Sequence, residues 1–356
     1  MPDLKQYTPE EIGLIFADAG LPRYRAEQVI RHLFGIGASS FDEMTDLPKE
    51  LRAYLAEHFT LSAPDAVRKL ESSDGTIKYL WKLRDGEVIE SALLRYGYGN
   101  SLCVSTQAGC RMGCAFCASA PRGFKRNLSA AEILDQILFA QKESGLQISR
   151  VDLMGIGEPL DNFEAAARFI KLVNNPLFAP GGRKKGSPLG LNIGARHISV
   201  STCAPPNAIV KFAELGTQCN LLVSLHAPDD ETRNRLMPIN RVVGVEYLFR
   251  DCADYVKRSG RRVSFEYAVI KGVNDTRAQA ERLANLVLSI GAHVNLIRLN
   301  SANGDFVPGD VYAFRAMLTE RKVNATVRRT LGADIDAACG QLRRSSTEIK
   351  DGGQYA

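Results

Sequence analysis

A cysteine-dense scaffold, a long apolar run and a strong charge of one sign are all missing from this chain of 356 residues. Eight cysteines are too few to staple a fold of this length, and a chain this long buries a core without staples. No stretch of about eighteen apolar residues occurs, which argues against a membrane span. The first twenty residues carry Asp3, Glu10, Glu11 and Asp18 and no apolar core, so a signal peptide is not expected there. Forty-five basic against forty acidic side chains leave +5, which permits an anionic partner without demanding one. The expectation is a soluble, cytoplasmic protein whose thiols stay reduced.

Residues 1–62 read as an accessory domain of short helices. Thr8-Pro9-Glu10-Glu11 opens one with proline at its first position, and Gly20-Leu21-Pro22 closes it. A second run, 24–34, places Ala26, Val29, Ile30, Leu33 and Phe34 at near-helical spacing, and a third follows Leu47-Pro48. Apolar residues around Phe34 predict a small core of their own. Residues 63–102 form a connecting segment. There 76–83 alternates, Asp85-Gly86 signals a turn and 87–94 runs extended, which together read as a hairpin.

From 103 to 342 strands and helices alternate. Extended candidates are 150–154, 197–201, 220–225, 263–270, 294–299 and 324–328. Helical patterns lie between them, the clearest opened by the capping box Ser129-Ala130-Ala131-Glu132. Such units predict an α/β fold with a parallel sheet and right-handed crossovers, a partial or full (β/α) barrel. Catalytic residues then gather just beyond the strands' C-terminal ends. The polar, glycine-containing segment 343–356 is expected to be a disordered tail.

Cys110, Cys114 and Cys117 stand as C-x3-C-x2-C. A four-iron four-sulfur cluster takes four thiolates, so three leave one iron open to an exogenous ligand. Structural zinc, with Cys103 or a histidine as fourth ligand, is the alternative on residue types alone. Zinc sites favour two separated C-x2-C pairs, however, and this is one compact triplet. Cys203, Cys219 and Cys252 fit no such pattern and are assigned to packing.

The triplet resembles the signature of the radical S-adenosylmethionine enzymes, in which the open iron chelates the amino and carboxylate groups of that cofactor. Met154-Gly155-Ile156-Gly157-Glu158-Pro159 stands in the place of their Gly-Gly-Glu-Pro-type motif. Three further blocks, Leu102 to Cys110, Ser224-Leu225-His226-Ala227-Pro228 and Asp334 to Leu342, are similar to those of the dual-specificity ribosomal and transfer RNA adenine-C2 methyltransferases, the RlmN type. The related adenine-C8 methyltransferases (Cfr type) are the nearest alternative, and Pro159 favours C2 over C8. A non-catalytic zinc-binding RNA-binding protein is the alternative from another class.

The resemblance, which runs over nearly the whole chain, implies a barrel of the radical S-adenosylmethionine type. It implies one four-iron four-sulfur cluster per chain on Cys110, Cys114 and Cys117. S-adenosylmethionine contacts are implied at Gly157, Glu158, Ser201, Ser224, Leu225, His226 and Asn300. Adenine carbon 2 lies between two ring nitrogens and is too electron-poor to attack an electrophilic methyl group. In the family scheme Cys339 therefore takes a methyl group by displacement, and a second, reductively cleaved S-adenosylmethionine gives a radical that activates it. The methylene adds to carbon 2, and Cys103 resolves the protein–RNA crosslink, leaving a Cys103–Cys339 disulfide. Glu90 is the implied proton acceptor, with a solvated strand glutamate as the bland alternative. The implied partners are 23S ribosomal RNA, transfer RNA and an external one-electron reductant such as flavodoxin or ferredoxin, acting on a monomer with no membrane.

Departures from the family pattern are Ala118-Ser119-Ala120 after the triplet and Ser301 after Asn300. Basic clusters at Arg122/Lys125/Arg126, Arg183/Lys184/Lys185, Lys257/Arg258/Arg261/Arg262, Arg328/Arg329 and Arg343/Arg344 suit a salt-sensitive RNA footprint. Ala108 and Gly109 are small enough to admit a base beside the triplet.

Overall fold

The computed structural model describes residues 1–175, 191–300, 306–338 and 340–342. Cys339, the 183–185 cluster, Arg343/Arg344 and the expected tail 343–356 lie outside the described residues. Helices α1 (Pro9–Asp18), α2 (Arg23–Ile30) and α3 (Lys49–His58) come first. Strands β1 (Asp65–Glu71), β2 (Ile77–Lys82), β3 (Val88–Tyr96) and β4 (Gly99–Cys103) follow. Two-residue strands β5 (Gln107–Ala108) and β6 (Arg126–Asn127) bracket the cysteine loop. Then come α4 (Ala130–Ser144), β7 (Ile148–Leu153), α5 (Phe163–Val173), β8 (Ile198–Thr202), α6 (Ala208–Glu214) and β9 (Asn220–Ser224). The chain continues through α7 (Asp230–Leu236), α8 (Val245–Ser259), β10 (Ser264–Val269), α9 (Arg277–Ser289), β11 (His293–Arg298), α10 (Val311–Glu320) and β12 (Ala325–Val327).

One open sheet runs β1-β2-β3-β4-β7-β8-β9-β10-β11-β12. From β4 to β12 every neighbouring pair is parallel, and the order in space follows the order in sequence. Winding always in one direction curls a sheet into a barrel instead of laying helices on two faces. The predicted hairpin is β2–β3, turned at Asp85-Gly86 with Gly86 at φ +86°. It is not separate from the barrel: β3 pairs antiparallel with β4 and so extends the same sheet.

The capping boxes at Thr8/Glu11 and Ser129/Glu132 open α1 and α4 as their sequences require. The expected separate core near Phe34 is corrected. Ile12, Phe16, Val29, Leu33 and Phe34 share one buried cluster with Ile133, Leu134 and Ile137 of α4. Helices of eight to ten residues each bury a single stripe, and α4 supplies the surface that covers it. Lys5, fully buried, reaches Asp135 of α4 at 2.5 Å, and Arg168 of α5 holds Glu11 at 2.9 Å. Among the described residues no helix is long and apolar enough to cross a membrane.

Candidate active site

The C-terminal ends of β7–β12 open onto one cavity of about 160 Å³. Its floor is set by glycines. Gly155 lies so close to β4's exit that a Cβ there would stand 2.7 Å from the Val104 carbonyl carbon and oxygen. Gly157, at φ +106°, would put a Cβ 2.6 Å from Gln107 Cβ. Close backbone approach therefore explains both positions before any ligand is considered. Gln107 in turn accepts the Glu158 N–H at 2.9 Å and donates to Asn127 and Asp161. The Glu158 carboxylate accepts the N–H groups of Leu160 (3.0 Å) and Cys203 (2.7 Å), tying β7's exit to β8's. Burial pushes that carboxyl up to about 6.

Ser201, Ser224, His226 and Asn300 line the same cavity. His226 sits at φ +56°, held by Asn274, whose amide donates to the carbonyls of His226 and Ala268 at 2.7 Å. Its Nδ1 accepts the Ala268 N–H at 2.9 Å, so the proton of the neutral ring is on Nε2. Burial, with Arg233 nearby, pushes His226 down to about 3, and it is neutral at physiological pH. Leu225 differs from its neighbours: its side chain is in the main core, and its main chain takes part, accepting from Arg233 at 3.1 Å.

Cys114 and Cys117 form one wall, with Cys110 half-buried beside them. Cys110 is pushed up to about 12, first by burial and then by the charges of Cys114, Cys117 and Glu158. Among the described residues, no three His, Cys, Asp or Glu side chains converge as a preformed metal cage. The donor chemistry nevertheless fits an iron–sulfur cluster. Three soft thiols share one loop against a cavity, and the wall opposite carries hydroxyl, imidazole and amide groups suited to a polar cofactor.

A second cavity of about 40 Å³ adjoins the first and shares Met154, Asn300 and Arg328 with it. It is lined by Cys103, Tyr96 and Arg329, and by Ala338 and Gly340, the two neighbours of position 339. Cys103 packs with Ala92, Ile156, Ala337 and Leu342.

Comparison with known proteins places the chain in a family. Residues 104–284 match the radical SAM superfamily, and residues 2–61 match the ribosomal RNA large subunit methyltransferase N-terminal domain. The chain is 46% identical over 350 residues to the "probable dual-specificity RNA methyltransferase RlmN" of Halalkalibacterium halodurans, covering 96% of this chain and 93% of that one. The chain belongs to the RlmN family of the radical SAM superfamily. A like-named protein of Desulforamulus reducens is 44% identical over 96% of both chains. A radical SAM methyltransferase crystal structure from Sphaerobacter thermophilus superposes with TM-score 0.87 at 40% identity, covering 96% of this chain and 99% of that one. The fold is thus the radical SAM barrel with an RlmN N-terminal domain. A four-iron four-sulfur cluster and S-adenosylmethionine are its cofactors, and the chain is a methyltransferase. The relatives favour neither the adenine-C8 nor the zinc-binding alternative.

Several expectations from sequence change on this RlmN-type frame. Glu90 is not a solvated strand residue: it is 1% exposed, with Lys78 Nζ 3.7 Å from its Oε2. On the same face of β3, Ala92 packs with Ala337 and Leu342 instead of meeting water. Cys203 is not merely packing, because it lines the larger of these two cavities with its Sγ 4.0 Å from Cys114 Sγ. Cys219 and Cys252 are buried as expected. Arg328 is no surface phosphate contact: its guanidinium pairs with Glu266 at 2.8 Å inside the cavity. Ala108 and Gly109 admit no base, since Ala108 is buried and a Cβ at Gly109 would stand 1.8 Å from the Gly123 carbonyl oxygen. Their smallness accommodates the returning cysteine loop.

Three site residues escaped the sequence reading. Glu266 accepts from Ser201 Oγ at 2.9 Å and from Arg328. A lone carboxylate inside the otherwise apolar strand 264–269 was the available signal. Arg233, 1% exposed, donates to Cys203 and Ser224 carbonyls at 3.2 Å and to Asn240 at 2.7 Å, pinning the exits of β8 and β9 to the turn after α7. Lys78 is the third.

Proposed function

We propose that this chain methylates carbon 2 of an adenosine in 23S ribosomal RNA and of an adenosine in transfer RNA. The observation that carries the reading is the joining of the two cavities. One presents Cys114 and Cys117 of the triplet together with Ser201, Ser224, His226 and Asn300, and the other is lined by Cys103 and by the two neighbours of position 339.

Cys110, Cys114 and Cys117 hold the cluster. Gly157, Glu158, Ser201, Ser224, Leu225, His226 and Asn300 hold S-adenosylmethionine, Leu225 through its backbone. When bound, these groups supply one-electron activation of an unreactive methyl group, which an electron-poor ring carbon requires. His226 offers a neutral Nε2–H donor, and Glu158 rigidifies the loop that receives the cofactor. The Cys339 thiolate accepts the methyl group and becomes joined through it to adenine carbon 2. Once the adduct's unpaired electron has passed to the bound cluster, Glu90 would accept the carbon 2 proton. The Cys103 thiolate then attacks the Cys339 sulfur, the sulfur–methylene bond breaks, the released carbon takes a proton to become the methyl group, and the disulfide left behind is re-reduced. The target adenosine has to leave its stack to reach so enclosed a site, so a loop or mismatched adenosine fits best.

Residues 1–62, 63–102 and 103–342 are read as accessory domain, connecting hairpin and barrel. The working form is a cytoplasmic monomer supplied by a flavodoxin- or ferredoxin-type reductant. Mass spectrometry of ribosomal and transfer RNA after anaerobic incubation is the test, with 2-methyladenosine expected. A product of 8-methyladenosine, or tightly bound zinc with no iron, overturns the reading. Cys103→Ala is expected to trap a covalent enzyme–RNA adduct, and undiminished turnover without adduct removes Cys103 from the resolving role.

A further inference from the structure

Lys78 has no part in the cofactor contacts or the thiol chemistry, yet it is buried at their edge. Its Nζ lies 3.7 Å from Glu90 Oε2 and donates to the Asp336 carbonyl at 3.3 Å. The lysine is 4% exposed and the glutamate 1%. Ion pairs buried this deeply are costly to assemble and often add no net stability, so stability alone is a poor reason for one here.

What the pair connects is more telling. Asp336 belongs to the loop that leads to Cys339, and that loop is strapped from two sides. On one side the β1–β2 turn holds it: Ser72 Oγ (2.6 Å) and the Ser73 N–H (3.1 Å) donate to Asp334, and the Gly332 N–H donates to Asp74 at 2.8 Å. On the other side the cluster loop holds it: the Ala118 N–H donates to the Gly340 carbonyl at 2.9 Å and Ser119 Oγ to the Leu342 carbonyl at 2.8 Å. Between these straps, Lys78 is in reach of both the loop and the proton acceptor.

We propose that Lys78 is a positioning residue for resolution of the protein–RNA crosslink, its ammonium holding the Glu90 carboxylate charged and fixed against the loop that carries Cys339. The inference rests on the methyltransferase reading above and adds to it a residue that acts through Glu90. A buried carboxylate deprived of its neighbouring cation takes up a proton from solvent and can no longer accept one from the adduct. Formation of the crosslink does not need that base, whereas resolution does.

The test compares Lys78→Met and Lys78→Arg with wild type, each carrying a full cluster. All are incubated anaerobically with S-adenosylmethionine, dithionite and an RNA fragment that wild type methylates. Three quantities are read: 5′-deoxyadenosine, covalent adduct on a denaturing gel, and 2-methyladenosine. Lys78→Met is expected to keep forming 5′-deoxyadenosine while adduct accumulates and 2-methyladenosine falls about a hundredfold, the low end of what a positioned general base contributes. Lys78→Arg is expected to restore most of the product, because it returns the cation. An adduct fraction in Lys78→Met equal to wild type overturns the inference. So does joint loss of 5′-deoxyadenosine and adduct in both variants, which marks a merely structural lysine. Wild type that makes no methylated adenosine sinks the underlying reading instead, and the two failures are told apart by that control.

Discussion

Replacing Gly157 by alanine places a methyl group where the backbone has φ +106° and where the nearest atoms, Gln107 Cβ and N, stand at 2.6 and 2.8 Å. Holding a non-glycine residue in such a conformation costs about 1–3 kcal/mol. Forcing an extra carbon into a packed contact costs about 1–3 kcal/mol more. Gly216 separates the two contributions, because it has φ +59° but nothing within 4 Å. Gly216→Ala should lose only the left-handed penalty, about 1–2 kcal/mol. Gly157→Ala should therefore be the more damaging, and each extra kcal/mol lowers Tm by about 2–4 °C in a domain of a few hundred residues.

The two variants should also differ at the site. Displacing Gln107 disturbs its 2.9 Å bond to the Glu158 N–H, so S-adenosylmethionine binding should weaken in Gly157→Ala and not in Gly216→Ala. Thermal melting can be followed through the single tryptophan, Trp81, which is buried, stacked on Tyr79 at 4.8 Å and bonded to Ser91 Oγ at 2.7 Å. Equal Tm losses and equal binding in the two variants would refute the close-approach argument.

Lys5→Met strands the buried Asp135 carboxylate and should cost about 3–5 kcal/mol, measured by urea unfolding; Lys5→Met/Asp135→Leu should recover much of that. His226, pushed down to about 3, refuses the proton that an unfolded histidine takes near its ordinary value of 6.5. Below that value the unfolded state binds more protons, so stability falls as pH drops, by up to about 1.4 kcal/mol per unit from this residue. His226→Asn, which tolerates the left-handed backbone, should flatten that acid limb in unfolding curves taken from pH 7 to 4. Alanine at Cys110, Cys114 and Cys117 together should take iron from about four per chain to none, checked by iron analysis after anaerobic reconstitution.

The strands of the barrel were readable because their buried apolar residues recur at short spacing, as Ile198 and Val200 in β8 and Val151 and Leu153 in β7, and because their helices carry caps and stripes. Elements set by tertiary context were not. β1 is exposed along nearly its whole length and shows no alternation, since it is an edge strand. β5 and β6 are two residues long and exist because Gln107 meets Asn127 across the cysteine loop. The segment Arg31–Ile36 widens α2 into a π-helical turn before Gly37, a change of pitch with no composition signal. At the site, the motif-bearing residues were legible in sequence, whereas Glu266 was not. Its partner Arg328 lies 62 residues away, and only the sheet order β10-β11-β12 brings them together. Charges that look like a surface cluster in one dimension become an interior pair in three.

That interior pair bears on how the two cavities work together. Arg328 lines both, and its guanidinium is fixed by Glu266 on the cofactor side while Met154 Sδ lies 3.1 Å from it. Glu266 is itself held to Ser201, a cofactor-contact residue in the proposed function. A rearrangement of Ser201 on cofactor binding therefore reaches, through two side chains, the wall of the cavity that contains Cys103. The loop flanking position 339 closes the same circuit from the other direction, because Ala118 and Ser119, next to Cys117, hold the carbonyls of Gly340 and Leu342. The loop that bears the triplet and the residues on either side of position 339 are thus joined by main-chain acceptors, so a shift in one is passed to the other.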